Sequence, residues 1–429
     1  MKKRVCMFVW NHFTNDARVL RECTALSETD QLVDLICIDN PNNKELPRYE
    51  EINPNFKVYR VKRYPDILLQ LQRIFRMAPI FKIIGLLVSA YLTVMFPVVV
   101  IPLAVLLLLL LKTRMRVIWI RGTIFLRMIF MGLRKNYDIY HSNDLNTLLQ
   151  GFICSKVRLK KRILIYDSHE VQTSRTGYNS RLYGIIERIL IKRIDAMIVE
   201  NHTRAKYNED LYGFYPYVVY NYPDIHREDI SEQLSLTQQL GLAEDEKILL
   251  YQGGIQTGRG LEKLIQAAQL FKEGTLVFIG DGKIKADLER MVDQMDLHHK
   301  VKFIPKVPLT ELPKYTRNAY LGFQVLNNVC FNHYSASSNK LFEYIMSDVP
   351  VIACSFPEIK KVVEGDALGL CIDSHDSVSI AEGVNYLLDS QAEYQKMKDR
   401  CAAAKEKYNW TKEKVNFLNV YSSTKKYLA

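Results

Sequence analysis

Residues 247–271 read KILLYQGGIQTGRGLEKLIQAAQLF. The stretch opens as a short apolar strand, Lys247–Tyr251. It passes through a glycine-rich turn and continues as an amphipathic helix, Leu261–Phe271. Strand, tight turn and helix make the repeating unit of a parallel α/β sheet. The unit recurs at once, as strand Thr275–Ile279, turn Gly280-Asp281-Gly282 and helix Lys283–Met295, and strands Val301–Phe303, Leu321–Val325 and Val349–Ala353 continue the series. Upstream, apolar runs at Val5–Trp10, Leu32–Ile38, Lys57–Val61, Ile139–His141, Ile163–Tyr166 and Ala196–Glu200 alternate with helical stretches, the first being Ala17–Ser27 behind Asn15 or Asp16 as N-cap. The pattern restarts after Asn221-Tyr222-Pro223-Asp224. The expectation is two Rossmann-like halves, residues 1–222 and 223–407, with 408–429 as a closing helix.

The chain has 429 residues, 48% apolar and 24% charged. That length accommodates two or three domains, and the composition excludes a mainly disordered, collagenous or disulfide-scaffold chain. Eight cysteines lie singly, mostly in apolar runs, with no C-x-x-C pair. Buried free thiols in a reducing compartment are expected rather than a zinc site. Lys2-Lys3-Arg4 precede an apolar run too short for a signal peptide, so the start is expected to stay in the cytoplasm.

The net charge of +11 is concentrated. Between Lys57 and Lys135 there are fourteen Lys or Arg and one acid, Asp66, and elsewhere the charges nearly balance. This basic stretch brackets 29 uncharged residues, Ile83–Leu111, ending in VLLLLLL. A run of that length reads as membrane-embedded, with a buried core helix as the alternative. Two spans need about 40 residues. One straight span would put strands of a single sheet on opposite sides of a bilayer. Pro97 and Pro102 supply a kink, so the expectation is a monotopic hairpin, re-entrant or in plane, at the cytoplasmic face of the plasma (inner) membrane, its basic flanks on anionic lipids. A single span is the second possibility. Nucleic acid is not expected as a partner, because the positive charge flanks an apolar segment instead of aromatic platforms.

Parallel α/β sheets bind ligands at the carboxyl ends of their strands, where glycine turns and helix N-termini present N–H groups to anions. Gly253-Gly254-Ile255-Gln256-Thr257-Gly258-Arg259-Gly260 is one such loop, lacking both the Walker ending and the G-x-G-x-x-G spacing. Gly280-Asp281-Gly282 is a second, equally readable as a plain turn. The third is Ser337-Ser338-Asn339-Lys340 opening a helix, with Glu343 one turn after Asn339. A lysine at a helix start suits a diphosphate, and an acid one turn on suits two ribose hydroxyls. The plain alternative is a capped helix with an Asn339–Glu343 surface pair. In the first half, three loops after strands carry polar groups: Asn11–Asp16, His141-Ser142-Asn143-Asp144 and Asp167-Ser168-His169-Glu170. Two histidine–acid clusters on one sheet edge suggest a site, with His169 able to accept or donate a proton at a sugar.

Taken together, NDARVLRE (15–22), YHSNDLNTL (140–148), YDSHE (166–170), YNYPD (220–224), GGIQTGRGLEKLI (253–265), FIGDG (278–282), SSNKLFEYIMSDVPVIA (337–353) and YNWTKEKVNFLNVY (408–421) resemble retaining family-4 glycosyltransferases of the GT-B fold. The resemblance implies two Rossmann-like domains facing a cleft, here with a membrane-embedded insertion in the first. It implies a UDP- or GDP-linked sugar on the second domain. Arg259 and Lys340 would neutralise the leaving diphosphate and Glu343 would hold the ribose. Gly253, Gly254, Gly280, Asp281, Gly282, Ser338 and Asn339 would complete the donor site. His169 would act at the sugar. Asn15, Asp16, Asn143, Asp144 and Glu170 would face the acceptor, a lipid-diphosphate-linked or growing glycan. No metal and no cofactor are expected. The pattern departs from the family at Ser335, where a first glutamate usually stands, and at Gly253-Gly254, where Gly-Arg is common. A sugar-nucleotide 2-epimerase and a catalytically silent scaffold are the alternatives.

Overall fold

A computed structural model describes residues 2–14, 16–43, 45–75, 79–174, 181–225 and 234–424. The chain divides into two compact units, residues 1–167 with 189–195, and residues 168–188 with 196–426. The sequence pattern placed this boundary at 222.

In the first unit, strands β1 (Arg4–Phe8), β2 (Leu32–Ile38), β3 (Tyr49–Asn53), β4 (Phe56–Val61), β5 (Ile139–Asn143) and β6 (Ile163–Ser168) lie in the order β3-β4-β2-β1-β5-β6. All neighbours are parallel except β3 and β4. The parallel strands are nearly continuous apolar runs because both sheet faces are covered; β1 buries Val5, Cys6, Met7 and Phe8 completely. Strand β3, YEEIN, was not expected: it is polar and half-exposed, and it pairs as an antiparallel edge through the Asn53-Pro54-Asn55 turn. The helix Ala17–Glu28 begins where Asp16 accepts a hydrogen bond from Val19 N (3.2 Å). Asp16→Ala is therefore expected to lower the unfolding free energy by about 1 kcal/mol, read by chemical denaturation.

The uncharged run 83–111 is not one element. It lies in two helices, Pro79–Met95 and Pro97–Lys112, followed by a third, Met115–Leu133. The break falls at Phe96 (φ −134°, ψ 57°), because the ring of Pro97 crowds the residue before it. Pro102 stays inside the second helix. Among the described residues no helix is long and apolar enough to cross a membrane, which corrects the single-span possibility. The buried-core alternative is also wrong: Leu86, Val94 and Val98 are 71%, 79% and 85% exposed. The third helix does pack inward, burying Ile124 and Met128.

In the second unit, β7 (Ala196–Val199) pairs in parallel with β8 (Tyr217–Val218). Strands β9 (Ile248–Gln252), β10 (Thr275–Ile279), β11 (Val301–Ile304), β12 (Ala319–Gln324), β13 (Val351–Cys354) and β14 (Gly369–Ile372) form an all-parallel sheet in the order β11-β10-β9-β12-β13-β14. One apolar cluster covers each face, so helices flank the sheet on both sides as in a Rossmann-like layer. The closing helix runs Trp410–Ser423, capped by Asn409; its Trp410 N–H donates to Pro223 O (2.8 Å) and its Glu413 accepts from Tyr220 N (2.9 Å).

Candidate active site

A pocket of about 350 Å³ opens in the second unit at the carboxyl ends of its strands. Of the residues expected at a donor site, it brings together Gly253, Gly254, Arg259, Ser338, Asn339 and Lys340, and it adds Glu170. The helix Asn339–Met346 starts at this pocket, and Ser338 makes no side-chain cap bond to it. Its first N–H groups and the positive end of its dipole are therefore available to an anion.

Lys340 is buried, with Nζ 5.3 Å from the centre of the Tyr251 ring. Burial, with the charge of Arg259 adding to it, pushes its ammonium down to about 7, against the pull of Glu343. Neither Lys340 nor the half-buried Arg259 forms an ion pair among the described residues. Two cations thus converge on one cavity without an ion pair among the described residues, although the carboxylates of Glu170 and Glu200 also line it. Such an arrangement raises the affinity of the cavity for a polyanion.

The glycine turns hold this arrangement in place. Gly253 N donates to Ile279 O (2.9 Å) and Ile255 N to Asp281 O (2.9 Å). Gly280 sits at φ +153°, and a Cβ there would stand 2.0 Å from Gly253 O. The turn after β10 thus rests directly on the turn after β9. Gly280, Asp281 and Gly282 do not line the pocket; they support the loop that does. Glu343 is likewise outside its lining. Its Oε2 accepts from Gln252 Nε2 (2.7 Å), whose Oε1 accepts from Thr316 Oγ1 (2.7 Å), a chain that fixes the carboxylate. Asn339 Oδ1 accepts from Asn221 Nδ2 (2.9 Å).

Three pocket residues carried no local sequence signal. Arg204 is buried, paired with Glu200 Oε2 (2.5 Å), bonded to the His169 carbonyl, and donates through Nε to Ser335 Oγ (3.2 Å). Ser335, the position where an acid was expected, is thereby held against a cation. Asn332 bonds Val171 in both directions (2.8 and 3.0 Å), fastening the loop of His169 and Glu170 to the helix Phe331–Tyr334. His169 itself is half-buried and outside the pocket lining. His333 lines the pocket with Nδ1 3.1 Å from Asn327 O, and burial, with Arg259 and Lys340 adding to it, holds its pKa below the ordinary value despite that bond.

In the first unit, the expected acceptor-side groups have local structural tasks. Asp16 caps its helix and accepts from Asn11 Nδ2 (2.7 Å). Asn143 is buried and donates to Phe8 O (2.9 Å). Asp144 adopts φ +60° and its N–H donates to Asp167 O (2.8 Å). Asn15 lies outside the described residues. His141 belongs to a cluster that sequence reading missed. Arg18 bonds both Glu22 (3.0 Å) and Asp167 (3.0 Å), and His141 Nε2 lies 3.9 and 3.8 Å from the same two carboxylates. Among the described residues Glu22, His141 and Asp167 form the one group with the spacing of metal ligands, but the Arg18 guanidinium already occupies their carboxylates.

The family described as "Glycosyl transferases group 1" matches residues 233–407. D-inositol 3-phosphate glycosyltransferase of Xylanimonas cellulosilytica is 26% identical over 203 residues, 46% of this chain and 47% of the relative. The chain spans about half the length of the curated relatives it matches. Sucrose-phosphate synthase from Thermosynechococcus elongatus superimposes with a TM-score of 0.72 at 14% identity, covering 98% of this chain and 99% of that one. Anabaena Alr3699/HepE, solved in complex with UDP and glucose, gives 0.68 at 15% identity over 98% and 100%. At such identities these structures share the fold.

Proposed function

We propose, from the match of residues 233–407 to the glycosyl transferases group 1, that this protein is a glycosyltransferase taking its sugar from a nucleoside diphosphate donor. The observation that carries the proposal is the convergence of Arg259 and buried Lys340, neither in an ion pair among the described residues, at a helix start in one pocket. A leaving diphosphate develops negative charge as the glycosidic bond breaks, and fixed cations in a water-poor site stabilise that charge. Gly254 brings a backbone N–H group to the same end, while that of Gly253 is held by Ile279 O. Glu343, fixed by Gln252, is suited to ribose hydroxyls. We assign Glu170, His169, Asp16, Asn143 and Asp144 to the acceptor side, and transfer to the retaining class.

The exposed apolar helices Pro79–Met95 and Pro97–Lys112 favour an acceptor at a bilayer, a lipid-diphosphate-linked glycan of the kind used in cell-surface polysaccharide synthesis. On this reading the helices lie in the membrane plane at the cytoplasmic face, with anionic lipids at their basic flanks; the eight free cysteines suit that reducing side.

The test is a panel of UDP- and GDP-sugars with a polyprenyl-diphosphate glycan, scored for nucleoside diphosphate and for sugar on the acceptor. Conversion of the nucleotide-sugar to its 2-epimer with no glycosylated acceptor would favour the epimerase; binding with neither product would favour the scaffold. A pH series adds an independent check. The empty site holds Lys340 at about 7, and a bound diphosphate favours its charged form. Below about 7 the ammonium is already present and donor affinity is flat. Above 7 binding must take up a proton, so affinity is expected to fall by up to about tenfold per pH unit. A dissociation constant unchanged from pH 6 to 9 would show that Lys340 does not meet the donor.

A further inference from the structure

The amino-terminal end of β6, opposite the strand ends that carry sites, has a surface of its own. The chain reaches it from the helix Leu145–Lys156 through Val157-Arg158-Leu159-Lys160-Lys161-Arg162. Asp195 fastens this loop. Its carboxylate accepts from Lys156 Nζ (2.5 Å) and Leu164 N (2.7 Å), and its own N–H donates to Leu164 O (2.8 Å). Lys156 Nζ also donates to Arg162 O (2.8 Å). Arg158 turns inward to Tyr140 OH (2.9 Å) and Asn136 Oδ1 (3.2 Å), and Arg162 pairs with Asp138 (3.1 Å). The nearby acids are thus matched within the unit.

What faces solvent is of two kinds. Lys160, Lys161, Lys192 and Arg193 are exposed and form no ion pair among the described residues. Beside them along the chain are exposed aliphatic side chains: Leu159 is wholly exposed, Val157 63% and Ile189 61%. Asp195 holds the two segments together, since it bonds residues 156 and 164 and lies three positions after Lys192.

We propose that this edge docks on an anionic bilayer, Leu159 and Val157 entering the headgroup layer while the four cations meet lipid phosphates. Unneutralised cations are attracted to the negative surface, and lysine and arginine stems can lie along apolar surface with their charges in the headgroups. A nucleic acid would use the cations but has no partner for a fully exposed leucine, and the patch offers no aromatic ring for a base. The surface shares no residue with the helices of residues 79–112, and the membrane reading of those helices can fail without it.

The experiment is sedimentation of the full chain with phosphatidylcholine vesicles, with or without 30% phosphatidylglycerol, at 0.1 M salt. Lys160→Gln, Lys161→Gln, Lys192→Gln and Arg193→Gln combined are expected to reduce partition into the anionic vesicles about a hundredfold. Partition into neutral vesicles, thermal midpoint and UDP-sugar binding should stay unchanged. Leu159→Ser alone should reduce anionic partition about tenfold. A quadruple variant that keeps the full gain from phosphatidylglycerol assigns that gain to other cations and overturns the proposal. So does wild-type partition by Leu159→Ser, which decides the matter if the quadruple variant has lost nucleotide binding. Tighter association with a 20-base-pair DNA duplex than with anionic vesicles at the same salt would also overturn it.

Discussion

Lys340→Met is expected to cut donor turnover at least a hundredfold and to leave the protein more resistant to denaturant. The two effects have one origin. An ammonium buried without a carboxylate partner costs free energy in the empty protein, and a methionine of similar volume removes that cost. On the proposed function the same cation stabilises the leaving diphosphate, and loss of one fixed donor of that kind typically costs 10²–10³ in rate. The linkage has a definite sign. The native value, about 7, lies below the ordinary lysine value, so between about 7 and 10.5 the unfolded chain binds more protons and wild-type stability rises with pH. The methionine variant should lose that slope. Arg259→Ala should lower turnover similarly with little change in stability, because Arg259 is half-exposed. Activity retained in both variants would remove the donor-site assignment. Lower stability in the methionine variant would mean that the ammonium supports the fold instead.

Replacing Leu87, Val94, Val98 and Ile101 together by serine is expected to reduce partition into neutral phosphatidylcholine vesicles at least a hundredfold. These side chains are 64%, 79%, 85% and 51% exposed, so the folded chain loses little when they change. Burying a Val, Leu or Ile side chain is worth about 1.5–3 kcal/mol; four that are partly exposed supply several kcal/mol to association with an apolar phase. Neutral vesicles separate this contribution from the charge-dependent one at the loop of Leu159. The measurement is sedimentation with vesicles, with nucleotide binding as the check on folding. Continued partition by the variant would show that the helices are not what meets the lipid.

The sequence signals that held were local ones. The turn 253–260 and the start of the helix at Asn339 are glycine and capping patterns, and they place Arg259 and Lys340 in one pocket. The polar strand Tyr49–Asn53 lacks the apolar alternation that marks a half-buried strand, so only its pairing with β4 reveals it. Arg204 meets partners at His169 and Ser335, 35 and 131 positions away, and no periodicity records such distances. Asp16 and Asn143 make capping and strand-end bonds with the same kind of polar side chain that catalysis uses, so their sequence pattern alone does not separate the two roles. The basic loop at Leu159 disappeared in the charge balance of its surroundings, since its cations are offset in number by acids that the fold places elsewhere.

The contact of Gly280 with the Gly253 carbonyl makes two turns a single part. Neither can be reshaped without displacing the other, so the end of the pocket formed by Gly253 and Gly254 is a fixed fitting, common on the proposed function to any sugar donor that enters. Selectivity has room to change only across the cavity, where Glu170, Asn332 and His333 hang from a loop and a one-turn helix. Engineering a new donor preference should start on that wall.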